Sequence, residues 1–175
     1  TGPVRTYRHP RSQRGFDRCA ARIGRIVAIA GAQALPINTI FQLADQAATE
    51  PETLAAAASV LMIAPLVSHH LSGVAANETT LARTSGLHDL AVGDWSAALA
   101  RDIGVEPALL APLVAAGTIL GPLRPELAAA SGLGPVPVVA VASHDSASAA
   151  LALAPGPDEA FLSAGTWNIL GYVTE

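Results

Sequence analysis

Cys19 is the only cysteine in the 175 residues of the chain. An internal disulfide framework is therefore excluded, and the cysteine usage suits a reducing compartment. Aromatic residues make up 4%, so the core must be built from small aliphatic side chains with close approach of helices and strands. Lysine is missing altogether: all ten cationic residues are arginines, a bias without mechanistic weight. Long apolar runs are missing as well. The longest, Leu54 to Val67, is shorter than the roughly 20 residues a bilayer crossing needs, and it contains Pro65. It reads as core. The opening stretch TGPVRTYRHPRSQRG is polar and basic, without the apolar segment of a signal peptide. Together these absences predict a soluble, cytoplasmic protein.

What is present is globular in character: 51% hydrophobic residues and 14% charged. That is enough for one sizeable core or for parts of two domains. Charge is unevenly spread. Arg5, Arg8, Arg11, Arg14, Arg18, Arg22 and Arg25 precede residue 26 with Asp17 as the one acid there, within a chain of net charge −4. Their spacing of three or four would align them on one helical face. Pro10 and Gly15 argue against a continuous helix. The segment is either a solvated, broken terminal helix or an arm for nucleic acid or an acidic partner. The lack of interleaved aromatics favours the former.

Further on, Asn38 is placed to cap a helix reaching about Ala48, and Pro51 to open a second that continues through the alanines. Val60 to Ile63 reads as a short buried strand, and Leu66 to Leu71 as a helical turn ended by Gly73. His69 and His70 are adjacent and would point to different helix faces; with His88 downstream they make a poor metal set. The stretch 77–94 reads as loop or hairpin, with Asp94 capping a helix from Trp95 to Ile103. Short helices are predicted over 106–113 and 124–131, with a strand or connector over 117–123. Gly132-Leu133-Gly134-Pro135 then marks a domain boundary. No internal repeat is present.

The chemistry gathers in VPVVAVASHDSASAALALAPGPDEAFLSAGTWNILGYV, residues 136–173. Val136 to Ala142 predicts a strand covered on both faces. His144, Asp145 and Ser146 follow at its carboxyl end, where ligands bind in open α/β sheets. A small-residue helix begins there. Asp145 is either a helix cap or a base taking a proton from a substrate hydroxyl, a role that the positive end of a helix favours. His144 is either a hydrogen-bonding substrate contact or a histidine satisfied by backbone. Gly165-Thr166 between two strand-like segments is either a plain turn or a phosphate contact, glycine allowing close approach and the threonine hydroxyl donating.

The order of these pieces resembles the FGGY carbohydrate kinase family of the actin-like ATPase superfamily, and among its members the rhamnulokinases. The residues carrying the resemblance are Val138 to Ala149 (VVAVASHDSASA) and Leu162 to Trp167 (LSAGTW). Upstream, QALPINTIFQL from Gln33, Asn77-Glu78, Gly93-Asp94-Trp95 and GPLRP from Gly121 follow in the same order. The resemblance covers nearly everything after residue 31. It implies an α/β fold, a fragment of a two-domain ribonuclease H-like/actin-like architecture. Residues 1–134 would be the later part of the sugar-binding domain and 135–175 the first strands and helix of the ATP-binding domain. It also implies transfer of the γ-phosphoryl of Mg-ATP to the 1-hydroxyl of L-rhamnulose in L-rhamnose catabolism. Asp145 would accept the proton, His144, Asp145 and Ser146 would line the sugar, and Gly165 with Thr166 would contact ATP. No residue is implied as a metal ligand.

The sequence departs from the family pattern at named places. His9 stands for an aspartate in Tyr-Arg-Asp-Pro-Arg, Pro65 for another aspartate, Leu81 and Arg83 for polar residues after Asn77-Glu78, and Ser146 for threonine. Residues 26–31 are shortened and altered. The family's glycine-rich phosphate loop and adenosine-binding part are not in the chain, which begins without methionine. The expectation is a fragment of absent or very low activity, its split sheets leaving edges and apolar faces exposed. Two alternatives accompany it: a non-catalytic remnant binding nucleic acid or an acidic partner through the basic arm, and L-fuculose or another ketose as substrate.

Overall fold

The computed structural model describes residues 6, 8–153, 155–165 and 168–172. Its core begins where α1 (Arg11–Arg18) crosses α3 (Thr39–Thr49). The crossing is close because residue 15 has no side chain: a Cβ there would lie 1.7 Å from the Phe41 carbonyl oxygen. Beside it, the Phe16 and Phe41 rings meet edge to face at 4.9 Å, a favoured aromatic geometry. Gly15 therefore lies inside a helix that it was expected to interrupt. The break comes at Cys19, followed by a 3-10 turn and α2 (Ile23–Ala30), which Gly31 ends at φ 62°. Ile26, Ile40, Phe41, Leu43, Leu87 and Leu99 form the centre of the core.

The arginines of α1 take part in this packing. Arg14 donates to both oxygens of buried Asp45, at 3.1 and 2.6 Å, and Arg18 approaches the same carboxylate at 3.5 Å. The Arg14 hydrogen bond outweighs burial and holds the Asp45 carboxyl below the usual aspartate range. Arg11 donates to Gln42, and Arg25 pairs with Asp102 at 3.4 Å. Paired in this way, these guanidinium groups fasten helices together.

Several expected elements shift for identifiable reasons. Asn38 does precede α3, yet its side chain accepts from Leu35 N and donates to the Thr84 carbonyl, leaving the helix amides alone. The second helix, α4 (Pro51–Ala55), stops before Ala56–Ala58. Those alanines are not buried, and a short alanine run is marginal without packing. The expected strand at Val60–Ile63 reduces to one parallel bridge from Val60 to Leu110, because α5 (Ile63–Ser72) starts there, earlier than expected. Pro65 sits in the first turn of α5, where an amide hydrogen has no helical partner anyway. Gly73, at φ 84°, ends the helix.

Next come β1 (Asn77–Glu78) and α6 (Thr79–Ala82), then a hairpin of β2 (His88–Asp89) and β3 (Asp94–Trp95). The cap of α7 (Ala97–Asp102) is Ser96, whose hydroxyl accepts from Leu99 N; Asp94, the expected cap, belongs to β3. The helix expected over 106–113 is only a 3-10 turn at Pro107–Leu109, after which β4 (Leu113–Val114) pairs parallel to β1. β5 (Ile119–Pro122), α8 (Pro125–Ser131) and β6 (Pro137–Val139) follow, with β6 antiparallel to β5. Last are α9 (Asp145–Leu153) and the hairpin of β7 (Ala160–Ala164) with β8 (Asn168–Tyr172). The described strands thus form four two-stranded sheets.

β6 was expected to be covered on both faces. Val138 and Ala140 are buried while Val139 and Val141 are 40% and 65% exposed, so one face alone is packed.

Candidate functional site

β6 leads the chain to a turn at Ala142–His144, and hydrogen bonds fix that turn from two sides. The Ser143 amide and hydroxyl both donate to Glu78 Oε2 at 3.0 Å, and the His144 amide donates to Thr80 Oγ1 at 3.3 Å. From the other side, the Ser148 hydroxyl donates to the Ala142 carbonyl, drawing the first turns of α9 back onto the end of β6. α9 begins immediately, its Ser148 amide donating to the His144 carbonyl.

His144, Asp145 and Ser146 are therefore brought together at a helix N-terminus that follows a strand, as expected. The His144 imidazole Nδ1 accepts from the Ala147 amide at 3.3 Å and so shares in capping the helix. Asp145 Oδ1 accepts from the Ser146 amide at 2.7 Å and lies 4.0 Å from His144 Nε2. The Asp145 side chain is 97% exposed. With the imidazole taking one of the free amides, the Asp145 carboxylate is held at its base and open to solvent at its tip. Such a group can accept a proton from an approaching hydroxyl.

Gly165 is exposed at the turn of the β7–β8 hairpin, while Thr166 lies outside the described residues. The strands in register from Ala164–Asn168 to Ala160–Tyr172 fix where that turn falls, and α9 lies against β7.

Beside the segment that joins β6 to α9 is a cavity of about 280 Å³, with Pro65 and Ser68 of α5 on one wall and Glu78, Ala140, Val141 and Ser143 on others. Asp145 is not part of its lining. Glu78 carries no role in the sequence pattern beyond its place in the Asn77-Glu78 pair, and the structure gives it one. It is 2% exposed and accepts from Thr80 N, Thr80 Oγ1 and Leu81 N as well as from Ser143. Burial by itself would raise the Glu78 carboxyl, but the donors on Thr80 and Ser143 prevail and hold it below the usual glutamate value. Its neighbour Asn77 is equally buried, accepting from Met62 N and donating to the Val60 carbonyl. Two tandem polar residues before Thr79-Thr80, preceded by apolar sequence, were the available signal.

His69 and His70 lie on α5 and His88 in the β2–β3 hairpin. Among the described residues no three metal-ligating side chains come together, and no helix is long and apolar enough to cross a membrane.

The strand β6, the polar turn after it with its solvent-facing aspartate, the helix α9 and the β7–β8 hairpin follow one another in the chain. Residues 5–152 match the N-terminal domain of the FGGY family of carbohydrate kinases, and the chain belongs to that family. It is 38% identical over 145 residues to the rhamnulokinase of Enterococcus faecalis, covering 82% of this chain and 29% of that protein. Against the rhamnulokinase of Yersinia pestis the identity is 37% over 171 residues, covering 95% and 34%. The chain thus spans about a third of the length of these curated relatives. The ligand-bound xylulose kinase from Lactobacillus acidophilus superimposes with a TM-score of 0.83 at 18% identity, over 94% of this chain and 34% of that one. The fold is accordingly a portion of the ribonuclease H-like/actin-like architecture.

Proposed function

We propose that the chain is the central part of a rhamnulokinase, transferring the γ-phosphoryl of ATP to the 1-hydroxyl of L-rhamnulose. The observation that carries this reading is the Asp145 carboxylate, anchored at the start of α9 and open to solvent. Likeness to rhamnulokinases over most of the chain supports the choice of ketose. In the step itself the sugar oxygen bonds to the γ-phosphorus as the bond to the bridging β–γ oxygen breaks. Asp145 takes the hydroxyl proton, and ADP leaves. Phosphoryl transfer of this kind depends chiefly on positioning and on charge neutralisation.

His144 and Ser146 flank Asp145 on the sugar side, and Gly165 with Thr166 would meet the ATP phosphates. Magnesium would arrive with ATP; it keeps much of its shell as water and phosphate oxygen and needs one or two protein carboxylates. In this reading no residue of the chain is assigned to it, Asp145 being kept for the hydroxyl proton. Residues 1–134 belong in this reading to the sugar-binding domain and 135–175 to the start of the ATP-binding domain, the β5–β6 pairing joining them. The enzyme would work in the cytoplasm, where ATP is available. This chain by itself is expected to turn over very slowly or not at all, being a third of the length of its relatives.

A coupled assay with Mg-ATP and L-rhamnulose tests the reading, with amide resonances of residues 143–146 followed in parallel as the ketose is added. Asp145→Asn should lower any turnover by about 10²–10⁴-fold, the usual contribution of a general base. L-rhamnulose should move the 143–146 resonances more than L-fuculose does. Undiminished turnover in Asp145→Asn, or resonances indifferent to the ketose, would falsify the proposal.

A further inference from the structure

We infer that Glu78 is a positioning residue for the His144–Asp145 turn, with Thr80 as its relay. The observations are of reach, burial and bond count. Glu78 lies 65 residues before Ser143 and is 2% exposed, yet its two oxygens collect five donors. Four of these converge on Oε2: the Thr80 hydroxyl at 2.6 Å, the Leu81 amide at 3.3 Å, and the amide and hydroxyl of Ser143 at 3.0 Å. The Thr80 hydroxyl gives its proton to Glu78 and accepts the His144 amide on a lone pair, at 3.3 Å. Two successive amides just before Asp145 are thus fixed, Ser143 directly to the Glu78 carboxylate and His144 to the Thr80 hydroxyl that the carboxylate holds.

A helix cap alone does not account for this. α6 is four residues long, and a serine or aspartate at position 78 would cap it without the cost of burying a glutamate. The longer side chain is needed to reach past the cap to Ser143. The bonds to Ser143 are charge-assisted, and bonds of that kind are the stronger class. Beyond Ser143 and His144 the chain enters α9, so the direction of the Asp145 side chain follows from how those two residues are held. The carboxylate of Asp145 has no packing of its own, being 97% exposed. Its placement comes from the turn behind it.

Asp145 as the base rests on the kinase reading above; the latch itself does not. Hydrogen exchange of the whole chain is the direct test. In Glu78→Gln the side-chain amide turns donors toward donors, and the Ser143 and His144 amides should exchange about tenfold faster or more. Amides of α3 should keep their rates. Thr80→Val should free His144 while leaving Ser143 protected, and Thr80→Ser, which retains the hydroxyl, should restore it. Where turnover is measurable, Glu78→Gln should lower kcat by about 10- to 100-fold with KM for the ketose little changed, as expected for a misplaced reacting group. Unaltered exchange at 143 and 144, or Thr80→Ser behaving as Thr80→Val does, would overturn the latch. So would an even rise across the chain in both Glu78→Gln and Thr80→Val, which would mark a general structural role. A chain with the latch intact that never responds to a ketose would sink the kinase reading and leave the latch standing.

Discussion

His88 is wholly buried in the β2–β3 hairpin, and neither ring nitrogen has a hydrogen-bond partner at ordinary geometry among the described residues. Burial, and then the positive charge of Arg83, lower its pKa from the usual 6.5; the Gly93 backbone and the carboxylates of Asp89 and Asp94 oppose this without prevailing. The native state therefore binds this proton less readily than the unfolded chain. Its contribution to stability is full above the unfolded value and is lost as pH falls from about 6.5 through the lower folded one. Urea unfolding between pH 7.5 and 5 should show that decline, and His88→Leu should flatten it. Equal slopes for the two proteins would refute the assignment. At this scale the candidate site was partly readable. His144, Asp145 and Ser146 are contiguous, and a strand-then-helix pattern marks them. Glu78 acts on residues 65 positions away, a distance at which spacing carries no information, and only the fold brings the two together.

The crossing of α1 with α3 depends on Gly15, whose missing side chain lets the Phe41 carbonyl approach. Gly15→Ala forces the helices apart at that point, separating the Phe16–Phe41 ring pair and the Arg14–Asp45 bonds on either side. Although alanine is the better helix former, the substitution should destabilise the chain by about 1–3 kcal/mol, the usual cost of overpacking. Thermal or urea melts followed by circular dichroism read this directly. A neutral or stabilising result would mean that intrinsic propensity outweighs the contact. The same residue explains the sequence's limits for whole elements. Glycine within an arginine-rich run reads locally as a breaker, because its tertiary partner is 26 positions on. Helices whose starts are marked in the sequence, such as α3 after Asn38 and α8 at Pro125, were legible to within a residue or two, although neither start is capped by a side chain. α7 was not: Ser96 and Asp94 are both acceptable caps, and pairing of β3 with β2 decided between them.

For the molecule as a whole, the packing is uneven. The core named above is closed, whereas beyond Ala140 no described residue is buried. The β7–β8 hairpin stands with open edges, and Leu162 and Leu170, directly paired across it, are 62% and 74% exposed, with Tyr172 at 71% on the same face. Leu151 and Leu153 of α9 are similarly open. Two strands alone are marginal in water, and an unpaired edge beside an apolar face invites pairing with another copy. The expectation of exposed edges and faces thus has a definite location. Self-association in sedimentation velocity should rise with protein concentration. Replacing the pair with opposite charges, Leu162→Lys together with Leu170→Glu, preserves a cross-strand attraction while removing the apolar patch. That double variant should sediment as a monomer, and its urea midpoint should match that of the unaltered chain, since neither side chain contributes to the core. A midpoint that falls with the substitution would place the hairpin inside the cooperative unit. Association that persists would move the sticky surface elsewhere, to the exposed leucines of α9.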